Sequence, residues 1–384
     1  MNTIAIKMLV GDRAKYLGII MGITFASLLI TQQLAIFNGL MSRTYGAITD
    51  LGLPDIWVMD PKVQFIDDVK PLQDTELYRV RGIRGVEWAV PLYKGLLKAR
   101  LETGEFQTCN VIGLDDATLI GGPPEMAEGR LADLRLADAV IVDDIGAQTK
   151  LGRPKPDGKI ERLKTGDTLE LNDHRAIVVG FCRVSRTFQS QPVVYTTYSR
   201  ATTFAPKERK LLSFVLVKAS AGTDIRALCE HIHKTTGLLA LTSQGFKDRT
   251  FDYFMKNTGI PVNFGIAVVL GFIVGTAIAG QTFYNFTLDN LKHFGALKAM
   301  GASNALLLRM ILLQAVVVGV VGYGIGVGAA ALLGHLTANT ELAFKMPMWL
   351  LGFTGGVVLI ICALASLISM RKVMKLEPAI VFKG

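Results

Sequence analysis

The chain has 384 residues, half of them hydrophobic and 19% charged, with a formal charge of +9 and a positive mean hydropathy. That is too few charges for an ordinary soluble protein of this size. No Asp, Glu, Lys or Arg lies in Tyr16–Ser42, Asn257–Leu288, Met310–Thr340 or Met346–Met370, and each window exceeds the roughly 20 apolar residues that cross a bilayer. These windows argue against a soluble fold, and the first apolar stretch argues against a cleaved leader: it is too long for a signal peptide, and no clear A-x-A cleavage site follows it.

The windows predict an N-terminal segment over 1–16, a first span over 17–38 and a large domain over 39–261. A second span is predicted over 262–286, a loop over 287–308 and a third span over 309–333. A short loop over 334–347, a fourth span over 348–370 and a tail over 371–384 complete the chain. The excess positive charge has a topological explanation. Lys7, Arg13 and Lys15 precede the first span, and Lys292, Lys298 and Arg309 lie between the second and third. Arg371, Lys372, Lys375 and Lys383 follow the fourth, whereas Glu341 and Lys345 cancel in the remaining loop. The positive-inside rule places both termini and the 287–308 loop in the cytoplasm of a multi-pass inner (plasma) membrane protein, with 39–261 outside. No nucleic-acid partner is needed to account for the charge.

Within 39–261 the pattern is mixed α/β. Asp55–Met59, Val86–Ala89 and Val140–Val142 read as strands, and Gln73–Arg81 and Asp144–Leu151 as helices. The turn-rich run Gly152–Gly158 interrupts the pattern. Thr168–Leu171, Ala176–Phe181, Pro192–Thr197 and Phe214–Val217 read as further strands, and Thr223–Thr235 as a helix. Two lobes are expected, with a strand-rich one over 158–205 inserted into the other. A last helix near 246–258 leads toward the second span until Gly259-Ile260-Pro261 interrupts it.

Catalytic and metal chemistry is not legible here. Gly152…Gly158-Lys159-Ile160 has five residues between its glycines and no Ser or Thr after the lysine, so it fails as a phosphate loop. On a helix His231 and His233 point apart, and only Cys229 and His233 share a face, so no metal and no cofactor is expected. Cys109, Cys182 and Cys229 leave room for one bridge outside the membrane, its pairing open, while Cys362 falls in the fourth span. The spans carry no ionisable residue near their centres, which argues against a proton- or sodium-driven carrier. Gln32, Gln33, Asn38, Gln281 and Gln314 are read as hydrogen-bonding between helices. Gly18/Gly22, Gly271/Gly275, Gly322/Gly326 and Gly352/Gly356 each place small residues four apart, the pattern of closely packed membrane helices.

The segment Asn290-Leu-Lys-His-Phe-Gly-Ala-Leu-Lys-Ala-Met-Gly-Ala302 resembles the coupling segment of the MacB/FtsX-like permeases of ABC transporters, Arg-Glu-Ile-Gly-x-x-Lys-Ala-x-Gly-Ala. Gly295, Lys298, Ala299, Gly301 and Ala302 match it; Lys292 replaces Arg, His293 replaces Glu and Phe294 replaces Ile, with Leu297 between. The His293 change removes one expected ionic contact. Leu376-Glu-Pro-Ala379 is similar to the family's C-terminal element, and Ile4–Ile20 to its N-terminal elbow. Gln32-Gln33-Leu34 is similar to a stretch of DevC, and the size of the external domain is nearer to MacB and LolC/LolE than to FtsX. The resemblance implies a membrane α-helical protein with four transmembrane helices and a MacB-like extracytoplasmic α/β domain. It further implies a permease without its own ATP hydrolysis, moving a lipid, peptide or drug-like substrate by mechanotransmission. Its partners would be an ABC ATPase subunit docked on 290–302, a second permease copy or homologue, and membrane lipids; a HlyD-like adaptor and an outer-membrane channel are also admitted. An FtsX-like regulator that signals to an external partner without transport is the alternative.

Overall fold

The computed structural model describes residues 2–101, 103–155, 160–206, 212–338 and 340–374. Those residues divide into two compact units, one of Met1–Leu40 with Gly259–Gly384 and one of Met41–Thr258. The tail beyond Met374, including Leu376–Ala379, lies outside the described residues, as does the 156–159 part of the rejected phosphate loop.

The chain opens with α1 (Asn2–Gly11) and α2 (Arg13–Thr44). The second unit begins with α3 (Gly46–Asp50), β1 (Ile56–Met59), α4 (Asp74–Arg81), β2 (Val86–Arg100) and β3 (Phe106–Leu114). Then come β4 (Glu125–Glu128), a 3₁₀ turn (Leu131–Arg135), β5 (Ala139–Asp143), α5 (Asp144–Gln148) and the pair β6 (Arg153–Pro154) and β7 (Ile160–Glu161). It continues with β8 (Thr168–Leu171), β9 (His174–Arg183), β10 (Val193–Thr197), α6 (Tyr198–Phe204) and β11 (Phe214–Ala219). It closes with α7 (Ile225–Thr236), β12 (Leu239–Thr242) and α8 (Ser243–Asn257). The chain returns to the first unit with α9 (Ile260–Asp289), α10 (Leu291–Ala299), α11 (Asn304–Leu336) and α12 (Met348–Met374).

In the first unit, α2, α9, α11 and α12 are long and apolar enough to cross a membrane. Two of them have clear start signals. Pro261 sits in the first turn of α9, where its missing N–H costs nothing. Ser303 caps α11 by accepting from the Leu306 N–H at 3.3 Å. Small residues set the packing, because a side chain on either helix would hold the backbones apart. A Cβ on Gly22 would stand 2.7 Å from Ile278 Cγ2, and one on Gly275 2.3 Å from Ala26 Cβ, so α2 and α9 cross in close contact. Gly322 and Gly326 of α11 approach Ile23 and Ser27 of α2 to 2.8 and 2.6 Å in the same sense. Gly18 and Gly271 meet Thr282 and Ile30 more loosely, both at 3.3 Å. Gly352 and Gly356 differ: among the described residues nothing lies within 4 Å of a Cβ at either. On α12 it is Gly355 that faces a neighbour, the Tyr323 ring, and on α11 Gly319 faces Cys362. Polar groups bridge helices where side chains reach. Tyr323 Oη donates to the Leu351 carbonyl at 3.0 Å, and Ser27 Oγ to the Tyr323 carbonyl at 3.3 Å.

The second unit holds two lobes bridged by the fifteen-residue strand β2. Its first half lies in the antiparallel order β12-β1-β11-β2, over which α4 and α7 pack through Leu77, Val80, Leu228 and Ile232. Its second half starts a different lobe. β2 pairs with β3, β3 with β10, β10 with β5, β5 with β9 and β9 with β8, and β8 returns to β2 at Ala99 and Arg100. The ladder thus closes on itself and has no free edge on that ring. Leu97, Val111, Val140, Val142, Leu171 and Val178 form its buried core. The expected insertion over 158–205 is therefore corrected. β8, β9 and β10 make no sheet of their own, because β10 lies between β3 and β5, and the lobe also draws on 86–143. All four cysteines are free thiols. Burial pushes the thiols of Cys109 and Cys182 upward, and that of Cys229 to about 11.

Candidate coupling segment

The connection between α9 and α11 is a helix followed by a tight reversal. The Phe294 N–H donates to the Asn290 carbonyl at 3.1 Å, and the Asn290 side chain donates back to the Phe286 carbonyl at 2.9 Å, so α10 starts as α9 ends. At the other end Gly301 adopts φ +94, the left-handed region. The Ala302 N–H reaches back to the Leu297 carbonyl at 3.0 Å, and the Gly301 N–H to Lys298 at 3.0 Å. This is a glycine helix stop, in which a left-handed residue lets the chain fold back to satisfy the last carbonyls. Glycine tolerates that backbone and residues with a Cβ pay for it. Ser303 then caps α11 without a linker.

The two faces of α10 differ. Phe294 is fully buried and Gly295 beside it is buried too. Phe294 belongs to a core with Phe283 and Phe286 of α9, Leu307, Met310 and Ile311 of α11, and Ala5 and Leu9 of α1. Leu297 and Ala302 are half-buried against it. Lys292, His293, Ala299 and Gly301 are exposed, Lys298 is half-buried, and Met300 is 76% exposed. The nine predicted residues therefore do not form one surface. Phe294, Gly295 and Leu297 anchor the helix, and Lys292, His293 and Ala299 face outward.

Sequence reasoning did not find several supports of this anchor. Gln314 of α11 donates to the Ala5 carbonyl at 2.8 Å, tying α1 to the helix that follows the segment. Lys15 pairs with Asp12 at 2.8 Å and also with Asp289, linking the start of α2 to the end of α9. Of these, Gln314 had a signal, a polar group in an apolar run, but not its partner. Asn38 donates to the Lys345 carbonyl at 3.4 Å, whereas Gln281 bonds Asn285 on its own helix at 3.4 Å. Elsewhere, His233 uses Nδ1 on the Leu238 carbonyl at 2.7 Å, and no cluster of metal-binding side chains occurs among the described residues.

A four-helix membrane unit with a two-lobed α/β domain inserted after its first span, and an anchored helix between its second and third, defines a membrane permease. Residues 16–234 match the MacB-like periplasmic core domain, and residues 265–378 the FtsX-like permease C-terminal domain. The chain belongs to the MacB/FtsX-like family of ABC transporter permeases, and membership implies an ATPase partner. An uncharacterized ABC transporter permease of Mycobacterium tuberculosis is 24% identical over 372 residues, spanning 94% of this chain and 93% of the relative. One from Mycobacterium bovis is 30% identical over 119 residues, 31% of this chain and 33% of that one. Among solved structures, the periplasmic region of MacB from Actinobacillus actinomycetemcomitans has a TM-score of 0.37 at 16% identity, covering 55% of this chain and 96% of that chain. The extracellular domain of the noncanonic ABC-type transporter YknZ from Gram-positive bacteria has a TM-score of 0.33 at 12% identity, covering 50% and 99%.

Proposed function

We propose that this permease subunit exports or extracts a lipid, peptide or drug-like substrate by mechanotransmission, driven by a separate ATPase docked on α10. The observation that carries the reading is the division of α10 into two faces. Phe294 is fully buried in a core shared with α1, α9 and α11, while Lys292, His293, Ala299 and Met300 are outward. A force applied to the outer face is then delivered to the bundle through a packed aromatic anchor, because close-packed cores transmit strain. Both termini and α10 are assigned to the cytoplasm by their positive charge, and the α/β domain to the other side. Two copies, or one copy and a homologue, would bring two ATPases together. The long helices would carry the closure of those ATPases to the α/β domain, which takes substrate from the outer leaflet. ATP hydrolysis belongs to the partner in this scheme. A HlyD-like adaptor and an outer-membrane channel would complete an exporter but are not required by it.

Ala299→Glu tests the docking, since it places a charge on the outer face without entering the core. The ATPase should no longer co-purify with the permease. Undiminished co-purification of the Ala299→Glu variant removes the docking role from α10. Gly295→Glu is a poorer probe, because Gly295 is buried and a carboxylate there would disturb the anchor itself.

A further inference from the structure

The loop of residues 184–192, between β9 and β10, touches the chain at both places where it enters and leaves the second unit. On one side Ser185 donates to Asp50 of α3 twice, from its N–H and its Oγ, both at 2.8 Å. A Cβ on Gly46 would stand 2.8 Å from Ser185 Cβ, so α3 and the loop are in close approach. Arg43, in the last turn of α2, donates to Ser190 Oγ at 3.4 Å. On the other side the Phe188 ring lies 5.0 Å from that of Phe254 in α8. Phe254 in turn packs edge-on against Phe65 at 5.5 Å, and Phe65 stacks on Tyr253 at 4.5 Å. The neighbouring turn of α8 is tied down as well, since Arg249 donates to the Val63 carbonyl at 2.9 Å.

The loop is internally braced rather than slack. Thr187 Oγ accepts from the Gln191 N–H at 2.8 Å, and the Ser190 N–H donates to the Thr187 carbonyl at 2.9 Å. Lys150 donates to the Ser190 carbonyl at 2.9 Å, and Ser190 itself sits at φ +53. Beneath it lies a cavity of about 20 Å³ lined by Asp50, Asn110 and Phe188 among others. Asn110 Oδ1 is buried there with no partner among the described residues, and the space suffices for a water. A braced loop over a cavity of this size can shift as a body while keeping its own bonds.

We propose that residues 184–192 form a strap that gathers the displacement of α2–α3 and of α8 and delivers it to β9 and β10 of the closed-ladder lobe. The strap suits this role because its attachments to α3 and α8 differ in kind: charge-assisted bonds join it to Asp50 of α3, and a ring contact without hydrogen bonds joins it to α8. The inference rests on the mechanotransmission reading and names the part of the domain that receives the motion.

The test uses the full-length permease with its ATPase in lipid nanodiscs, with native cysteines replaced and one labelled copy per complex. One spin-label pair, Leu53→Cys with Lys256→Cys, reads the turn that follows α3 against α8. A second, Tyr78→Cys with Arg175→Cys, reads one lobe against the other. On addition of a non-hydrolysable ATP analogue both distances should shift. Ser185→Ala with Phe188→Ala should keep the first shift and lose at least half of the second. Asp50→Asn is the milder variant should that pair fail to fold, and it should reduce the second shift in the same direction. A full lobe shift in these variants, or an unlinked lobe in the wild type, overturns the strap. Absence of both shifts in the wild type removes mechanotransmission itself and the strap with it.

Discussion

Gly275 lies directly over Ala26: a Cβ on Gly275 would stand 2.3 Å from the Ala26 Cβ. No rotamer change relieves that contact, because both atoms are fixed to backbone. In an open helical position Gly→Ala is favourable by about 1 kcal/mol. At Gly275 the sign should reverse, with overpacking costing about 1–3 kcal/mol. Gly275→Ala should therefore lower the thermal aggregation midpoint of the detergent-solubilised protein, and Gly356→Ala, at an open position, should leave it unchanged or raise it. Equal midpoints for the two variants would separate small-residue packing from stability.

Phe294 gives a different kind of prediction. Its ring is fully buried, and Phe→Ala at such a site costs about 3–5 kcal/mol. α10 is short, with a glycine stop at one end, so the loss should appear first as local opening. Amide exchange over residues 291–299 should accelerate in Phe294→Ala, with exchange over the α/β domain unchanged. His293→Ala, on the outward face, should leave exchange at α10 as it is.

Different parts of the molecule were legible to different degrees, for physical reasons. Four missing-charge windows mark the four long helices because a bilayer tolerates little else. The helices continue past the windows, α2 from Arg13 to Thr44, since helix propensity does not end where the apolar stretch does. The predicted strand Val86–Ala89 is only the first part of β2, whose ladder runs on through Pro91 and Gly95 to Arg100. β3 was not recognised, and without it the closed ladder could not be foreseen, since ring closure depends on pairing distant segments. At the coupling segment the motif residues are legible in the sequence, while the glycine stop at Gly301 shows only in its backbone, at φ +94. Which side of α10 faces inward is not legible there, because Phe294 is buried by α1, α9 and α11 together.

Gln314 links α1 to α11 through the Ala5 carbonyl at 2.8 Å, while its Oε1 has no partner among the described residues. Gln314→Leu removes that bond and also relieves the unpaired acceptor, so its net cost should be small, about 1 kcal/mol or less. Its local effect should be clear: exchange of the α1 amides rises, and trypsin cleaves after Lys7 sooner than in the wild type. An unchanged cleavage rate at Lys7 would mean that Leu9 and Ala5 hold α1 by packing alone.

Asp143 tests the core of the closed-ladder lobe. It caps α5 and crosses to β10, accepting from the Gly146 N–H at 2.6 Å and the Val193 N–H at 2.5 Å. Burial raises its pKa above the ordinary 3.8, against the lowering effect of those two bonds. The folded form therefore holds the proton more tightly than the unfolded one. Its contribution is greatest below the unfolded value near ~4, declines as pH rises toward the folded pKa, and is flat above it. Asp143→Asn keeps one acceptor and leaves a backbone N–H poorly paired, costing about 1–3 kcal/mol. The margin between wild type and Asp143→Asn should be widest in acid and narrow as pH rises. Labelling of Cys109 and Cys182, both fully buried, reports opening of the lobe. The ratio of labelling rates for variant and wild type at each pH cancels the intrinsic reactivity of the thiols. A ratio that grows with pH would reverse the sign and show that the two N–H bonds outweigh burial at Asp143.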